Sequence, residues 1–256
     1  MLILRTSDKN RKSFNGFQWP ESGPVEAPDW DPEPRCGHGL HGLAEGRGEW
    51  WMLDWAPDAV WQVVEVNDAS VVDLGDKIKF PRGNVIYSGD RDGAFKLLAG
   101  DKDVREWVCE DPSRAYGYAL YVDKEPRDDT RAAACVGPKW AYAYADNMDE
   151  KPRDYTRAAA CLDPKSAYLY AYYVDVKPRD DTRAAACRDP EWAYTYALNV
   201  DEKPRDDTRA AACLDPEWAY TYALNVDEKP RDDTRAAACG DPEWENAYNV
   251  KLHGKH

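Results

Sequence analysis

The chain has 256 residues and a net charge of −14, from 34 Lys and Arg against 48 Asp and Glu. No Lys/Arg cluster stands out in either half. This argues against nucleic-acid partners, whose affinity rests largely on cationic contacts. No stretch approaches the ~20 apolar residues that span a bilayer, so no membrane partner is expected. Residues 1–5 are too short for the apolar region of a signal peptide, and Lys9, Arg11 and Lys12 follow them. The expected location is therefore the cytoplasm, with a non-Sec export route or release left open.

Residues 1–104 are non-repetitive and rich in Gly, Pro and Trp, and they read as a β-rich α+β head domain. The stretch 19–34 carries Pro20, Pro24, Pro28, Pro32 and Pro34 and reads as loop. Residues 60–66 predict a strong strand, 69–74 and 76–80 shorter ones, and 84–87 another. β-Branched and aromatic residues bounded by Gly, Asp and Pro carry these assignments. Residues 92–99 predict a short helix leading out of the head.

Cys36, His38 and His41 form a Cys-x-His-x-x-His cluster, the spacing and ligand type of a Zn site, although no fourth ligand is identifiable. The competing reading is an ordinary glycine-rich loop near a sheet. A second candidate chemistry is ADP-ribosyl transfer from NAD, with His38 or His41 positioning the substrate and Glu65 as the acid. It rests on analogy between small β-rich folds. No Walker loop, Gly-x-Gly-x-x-Gly, nucleophile elbow or His-Glu-x-x-His is present. Residues 13–98, through Asn15-Gly-Phe-Gln-Trp19, Cys36-Gly-His-Gly-Leu-His41-Gly and the later Val-Val-Glu-Val, resemble a small bacterial and phage domain of unassigned function. The resemblance implies a domain boundary and a neighbouring repeat, and no mechanism.

Residues 105–256 form the array. Cys109, Cys135, Cys161, Cys187, Cys213 and Cys239 are evenly spaced, and Pro112, Pro138, Pro164, Pro190, Pro216 and Pro242 keep the same step of about 26 residues. Segments 188–213 and 214–239 differ only at Arg188 against Leu214. The array holds five full units plus degenerate caps. Each unit predicts two short helices. The first starts at Asp-Pro, with Asp as N-cap and Pro at the first helical position. The second starts at Pro-Arg-Asp-Asp-Thr and carries Arg-Ala-Ala-Ala-Cys. Helices this short are marginal alone, so neighbouring units must cover them, as in an α-solenoid.

Two tyrosine columns run through the array. Tyr116, Tyr142, Tyr168, Tyr194 and Tyr220 make one; Tyr118, Tyr144, Tyr170, Tyr196, Tyr222 and Tyr248 make the other. They read as core and inter-repeat ladder rather than a ligand-stacking face. The repeating Arg131, Arg157, Arg183, Arg209 and Arg235, with Asp128, Asp154, Asp180, Asp206 and Asp232, read as capping and ion pairs between units. The six cysteines read as a buried row of reduced thiols rather than a disulfide framework. Arg114 in the first copy, and Glu245 and Asn246 in the last, read as solvated terminal faces. Residues 251–256 are a short basic tail, disordered or docking. The Asp-Pro-x-aromatic-Ala-Tyr-x-Tyr-Ala unit resembles a helical repeat of uncharacterised bacterial and phage proteins, which implies an array and no chemistry.

The expected function is a non-enzymatic structural or protein-interaction scaffold, able to self-assemble through its array as a homo-oligomer or filament, with itself or another protein as partner. The alternative is an enzyme whose head is positioned by the array.

Overall fold

The computed structural model describes residues 1–229 and 231–252; the tail residues 253–256 lie outside the described residues. The fold is α+β: an antiparallel sheet in the head, followed by a region of repeated helices. The chain divides into two compact units, Met1–Ala134 and Cys135–His256.

In the first unit the strands are β1 (Leu2–Ser7), β2 (Gly23–Glu26), β3 (Leu40–Ala44), β4 (Val60–Glu65), β5 (Val72–Asp73), β6 (Ile78–Phe80) and β7 (Arg82–Gly89). Their order across the sheet is β2-β7-β4-β1-β3-β6-β5, and every pairing is antiparallel. β1 is the hinge of this sheet. It pairs with β4 along its whole length, Leu2↔Glu65 through Ser7↔Val60. With β3 it pairs only at Ile3↔Ala44 and Leu4↔Leu43, so the two strands part beyond Leu4. Ile3, Trp19, Val25, Leu40, Val64 and Phe80 form the core on one face.

Three strands are absent from the sequence reading and a fourth is shorter than expected. β1 occupies the opening apolar run, considered above only as a leader. β2 lies inside the proline-rich stretch 19–34, at the sheet edge beside β7, where a strand tolerates Pro24. β3 carries Gly42 at its centre, a residue that argues against a strand. A Cβ at Gly42 would overlap Ile3 and stand 2.8 Å from the Leu4 carbonyl oxygen, so close approach to β1 requires glycine. The strand expected over 69–74 is reduced to Val72–Asp73, because Asn67 accepts a hydrogen bond from the Ala69 amide (3.0 Å) and starts a helical turn over Asp68–Ser70.

Helix α1 (Arg91–Ala99) is capped by Asp90, which accepts from the Gly93 amide at 2.7 Å. It is followed by α2 (Val104–Cys109), α3 (Pro112–Tyr118) and α4 (Asp128–Ala134). An aromatic cluster joins this first repeat to the head. Trp50 lies 5.3 Å from Phe95, Trp55 4.6 Å from Tyr121, and Phe95 5.8 Å from Trp107, centroid to centroid. Gly117 stands where other copies carry Ala143, Leu169 or Thr195; a Cβ there would overlap the Trp50 ring. Arg114 is not the solvated cap residue expected. It is 6 % exposed, lies over the Trp107 ring at 4.5 Å and donates to the Glu45 carbonyl at 3.3 Å. Its polarity serves a contact inside the unit. Glu245 and Asn246, in the last copy, are exposed as expected.

In the second unit the Asp-Pro helices are α5 (Pro138–Asn147), α7 (Pro164–Leu169), α9 (Pro190–Asn199), α11 (Pro216–Asn225) and α13 (Pro242–Leu252). They alternate with α6 (Asp154–Ala160), α8 (Asp180–Ala186), α10 (Asp206–Ala212) and α12 (Asp232–Ala238). Asp163 and Asp189 cap as predicted, accepting from the Ser166 and Trp192 amides at 2.8 and 3.2 Å. The second helices start two residues after the proline, at the first Asp.

One substitution changes helix geometry. Where Asn147, Asn199 or Asn225 ends the helix, its side-chain amide donates to the carbonyl four residues back, at 2.9, 3.0 and 3.1 Å. Where Tyr121 or Tyr173 stands at that position, the helix finishes in a π-helical turn, Ala119–Asp123 or Tyr170–Asp175. Lys124 or Val176 then turns left-handed.

The ion-pair reading of the repeated Arg and Asp holds in the second unit, with two unlike partners. Arg157 is held in a fork by Asp175, at 2.8 and 2.7 Å, with both side chains out of water. Its other partner, Asp154, is almost fully exposed. Arg183 likewise has a buried partner in Asp201 and an exposed one in Asp180, and Arg209 in Asp227 and Asp206, but these two meet the buried carboxylate at one oxygen. Removing one member of a buried pair strands the other, a loss of about 3–5 kcal/mol. Asp175→Ala is therefore expected to lower stability by about that amount, while Asp154→Ala leaves the unfolding midpoint nearly unchanged. Urea titration of the two variants against wild type checks the contrast.

Candidate functional site

Within the second unit the tyrosine columns are structural. Tyr170, Tyr196 and Tyr222 are fully buried. Each phenol oxygen meets the buried threonine of the preceding second helix, Tyr170 with Thr156 at 2.8 Å, Tyr196 with Thr182 at 2.9 Å and Tyr222 with Thr208 at 3.0 Å. Each also donates to a backbone carbonyl, of Arg153, Arg179 or Arg205. The other column stacks on the tryptophan of the following copy. Tyr168 lies 5.7 Å from Trp192, Tyr194 5.6 Å from Trp218 and Tyr220 5.5 Å from Trp244. These rings are occupied by their neighbours.

The residue after each cysteine forms an outer row. Val136, Leu162 and Leu214 are 76, 66 and 77 % exposed, a large share for apolar side chains at one repeated position. Glu110, Arg188 and Gly240 occupy the same position in the other copies.

In the head, the predicted site residues are dispersed. Cys36 is exposed, with its sulfur 3.3 Å from Lys77 Nζ. His38 is exposed with a left-handed backbone, and its Nδ1 lies 3.6 Å from Asp29 Oδ2. His41 sits in β3, half-buried. Burial holds its pKa below the ordinary histidine value, with the positive charges of Lys77 and Lys79 adding to the effect. Among the described residues no group of three or more His, Cys, Asp or Glu side chains stands where it could hold a metal ion. Glu65, exposed at the end of β4, lines a shallow hollow with Met1, Glu26 and Arg82. His41 lines a different groove, so that histidine and Glu65 do not share a hollow, and His38 lines neither.

That second groove opens where β1 and β3 part. Its volume is about 1230 Å³, and Arg5, Ser7, Ser13, Trp19, Leu40 and His41 are among its lining residues. Arg5 is 6 % exposed. It donates to Gln62 Oε1 and to Ser13 Oγ (3.1 Å), and its guanidinium lies 3.5 Å over the Trp19 ring. Sequence reasoning missed it. The available signal was an arginine following the apolar residues 2–4 at the position that continues the inward side of Ile3.

The comparisons fall on the head. A family model described as a domain of unknown function (DUF7666) matches residues 1–97. This accords with the resemblance drawn above for the head; the repeat is not covered by it. Similar proteins include an ice nucleation protein of Pseudomonas syringae, 40 % identical over 100 residues, which are 38 % of this chain and 8 % of that protein. Another, of Xanthomonas campestris pv. translucens, is 37 % identical over 103 residues, 40 % of this chain and 7 % of that protein. Ice nucleation protein InaU of Pantoea ananas is 36 % identical over 100 residues, 38 % of this chain and 10 % of its own length. The match lies in the N-terminal region, so the chain shares only a small part of these longer proteins. No solved structure matches the chain.

This match corrects the cytoplasmic location expected from sequence. That expectation rested on a missing apolar leader, and a missing segment fixes no compartment. No helix among the described residues is long and apolar enough to cross a membrane.

All seven cysteines are free. The expected burial holds for Cys135; the other five array cysteines are half-buried. Cys161, Cys187 and Cys213 follow the last helical alanine and sit at the helix cap, beyond the covered face. Burial pushes these three thiols up to about 11. At pH 8 their thiolate fraction is then about 10⁻³, against roughly one in four for a free cysteine. Maleimide labelling of native protein, followed by peptide mapping, should modify exposed Cys36 first. The three array thiols should react at least about a hundredfold more slowly, with a rate rising about tenfold per pH unit up to pH 10.

Proposed function

We propose that this protein is a non-enzymatic structural scaffold that self-associates through its repeat array. The observation that carries the reading is that one outer position bears an exposed apolar side chain in three copies, Val136, Leu162 and Leu214, on an array whose inner side chains are engaged by neighbouring copies. One surface repeated at a fixed interval supports contact with a second copy. If that contact does not close on itself, it propagates. The relatives of the head support the same class, since promoting ice formation calls for an extended ordered surface rather than bond-making chemistry.

The net charge of −14 opposes close approach of copies, so association should strengthen with salt. Sedimentation velocity over a concentration series at two salt levels, with electron microscopy of the same samples, tests this. The expected result is a population of larger species that grows with concentration and salt. Replacing Val136, Leu162 and Leu214 together by Lys should move the onset to about tenfold higher concentration. A single species of monomer mass throughout, with no assemblies on grids, would reject the scaffold's self-association.

A further inference from the structure

The parting of β1 from β3 leaves a charge without an opposite. Ile3, Arg5 and Ser7 alternate along β1, so Arg5 and Ser7 continue the inward side that begins in the core. The β1–β3 ladder ends at Leu4↔Leu43, Gly42 opposite Arg5 brings no side chain, and the groove opens along β1 beyond that point. Gln62, opposite Arg5 on β4, turns its carbonyl to the guanidinium and spends its amide on the Pro20 carbonyl (3.0 Å) and Ser88 Oγ (2.8 Å). Trp19 stacks on the guanidinium and donates its indole N–H to Ser13 at 2.7 Å. The side chain is thus held in one orientation by neutral groups.

Those neutral groups leave capacity over. Of the five guanidinium N–H groups two have acceptors, and the buried Nε has none. No described carboxylate lies within ion-pair distance of Arg5, although Asp8, Asp29 and Asp54 stand elsewhere along the groove. Burial alone lowers the guanidinium pKa to about 9, with no carboxylate opposing it. The Ser7 hydroxyl and His41 Nε2, both on the same groove, are also buried without partners. A buried cation with neutral partners is costly unless something supplies the opposite charge.

The geometry points to a binding site in this groove for a small molecule bearing a phosphate or carboxylate group, with Arg5 as its charged anchor and Ser7 as a second donor. An oxyanion matches the planar fork of the guanidinium. Trp19, Leu40 and Leu53, which also line the groove, offer an apolar wall to the rest of such a molecule. His41 adds a ring nitrogen at the same groove. This site is separate from the array surface on which the scaffold reading rests.

A ligand that binds only the folded chain raises its melting temperature. The test uses the full chain, with inorganic pyrophosphate for the phosphate class and succinate for the carboxylate class. Sodium chloride at matched ionic strength is the control. At 10 mM, one of the two anions should raise the melting temperature by about 3 °C or more over the control. Arg5→Met should abolish that rise. If Arg5→Met does not fold, Ser7→Ala decides instead: it loses an unpartnered hydroxyl, so its melting temperature without anion should stay near wild type while its anion affinity falls severalfold. The inference is overturned if neither anion shifts the wild type beyond the chloride control, or if both variants that fold respond as the wild type does.

Discussion

A phenol taken wholly out of water must deliver its hydroxyl to a partner, and this requirement organises the repeats of the second unit. Tyr196 reaches into the copy before it and joins Thr182, while also donating to the Arg179 carbonyl. Those groups lie at the start of a second helix that has no side-chain cap of its own. The phenol oxygen also accepts from the Arg179 amide at 3.0 Å, so the tyrosine of one copy closes polar groups of the preceding copy. Ring burial supplies most of the favourable area, on the order of 150–250 Å² per aromatic. The hydroxyl sets the register, because a shift by one turn would take the Tyr196 phenol away from Thr182 and Arg179 and leave it buried without them. The alanines matter for the opposite reason: Ala171 and Ala186 are small enough to let the ring pack close.

The same logic explains the two classes of charge on each copy. Arg183 sits beside the buried tyrosine, its guanidinium 5.7 Å from the ring centroid, and needs a buried carboxylate, which Asp201 provides. Asp180 is three residues before it, in water, and adds little. A count of salt bridges would treat the two alike. In the head the order is reversed: Arg5 is buried with Trp19 and Gln62 but without a carboxylate, just beyond the end of the β1–β3 ladder. A fold that gives its other buried arginines carboxylates, Arg157, Arg183 and Arg209 among them, makes that exception informative.

Much of the array was legible because repetition multiplies each local signal. Asp-Pro marks one helix start six residues before the buried tyrosine column, and the Ala-Ala-Ala-Cys run marks the other helix. What repetition concealed was variation within it. The π-helical turn follows a change from Asn to Tyr at one position, which no periodic pattern announces. Arg114 is a polar residue at a terminal copy, and sequence alone gives no sign that Trp107 and Glu45 await it. The head was less legible. β4, β6 and β7 carry β-branched or aromatic residues, whereas β2 holds a proline and β3 a glycine. Their strand character comes from neighbours, Arg82 and Gly83 for one and Ile3 for the other, and neighbours across a sheet are not adjacent in sequence. Cys36, His38 and His41 are close in the chain, but among the described residues they do not make a group of three that could hold a metal ion; His38 takes a left-handed backbone while His41 lies in a strand, which spacing in the sequence does not announce.

Gly117 and Arg114 have an implication for how such a chain can change its copy number. They fit the first repeat to Trp50 and Trp107, so that copy is bespoke and cannot be exchanged for a later one without a clash at Trp50. Residues 188–213 and 214–239, by contrast, are interchangeable but for a single side chain. Duplication or deletion of whole copies downstream would leave the contacts of Gly117 with Trp50 and of Arg114 with Trp107 in place. The length of the array is thereby free to drift by recombination while the module that begins it stays fixed.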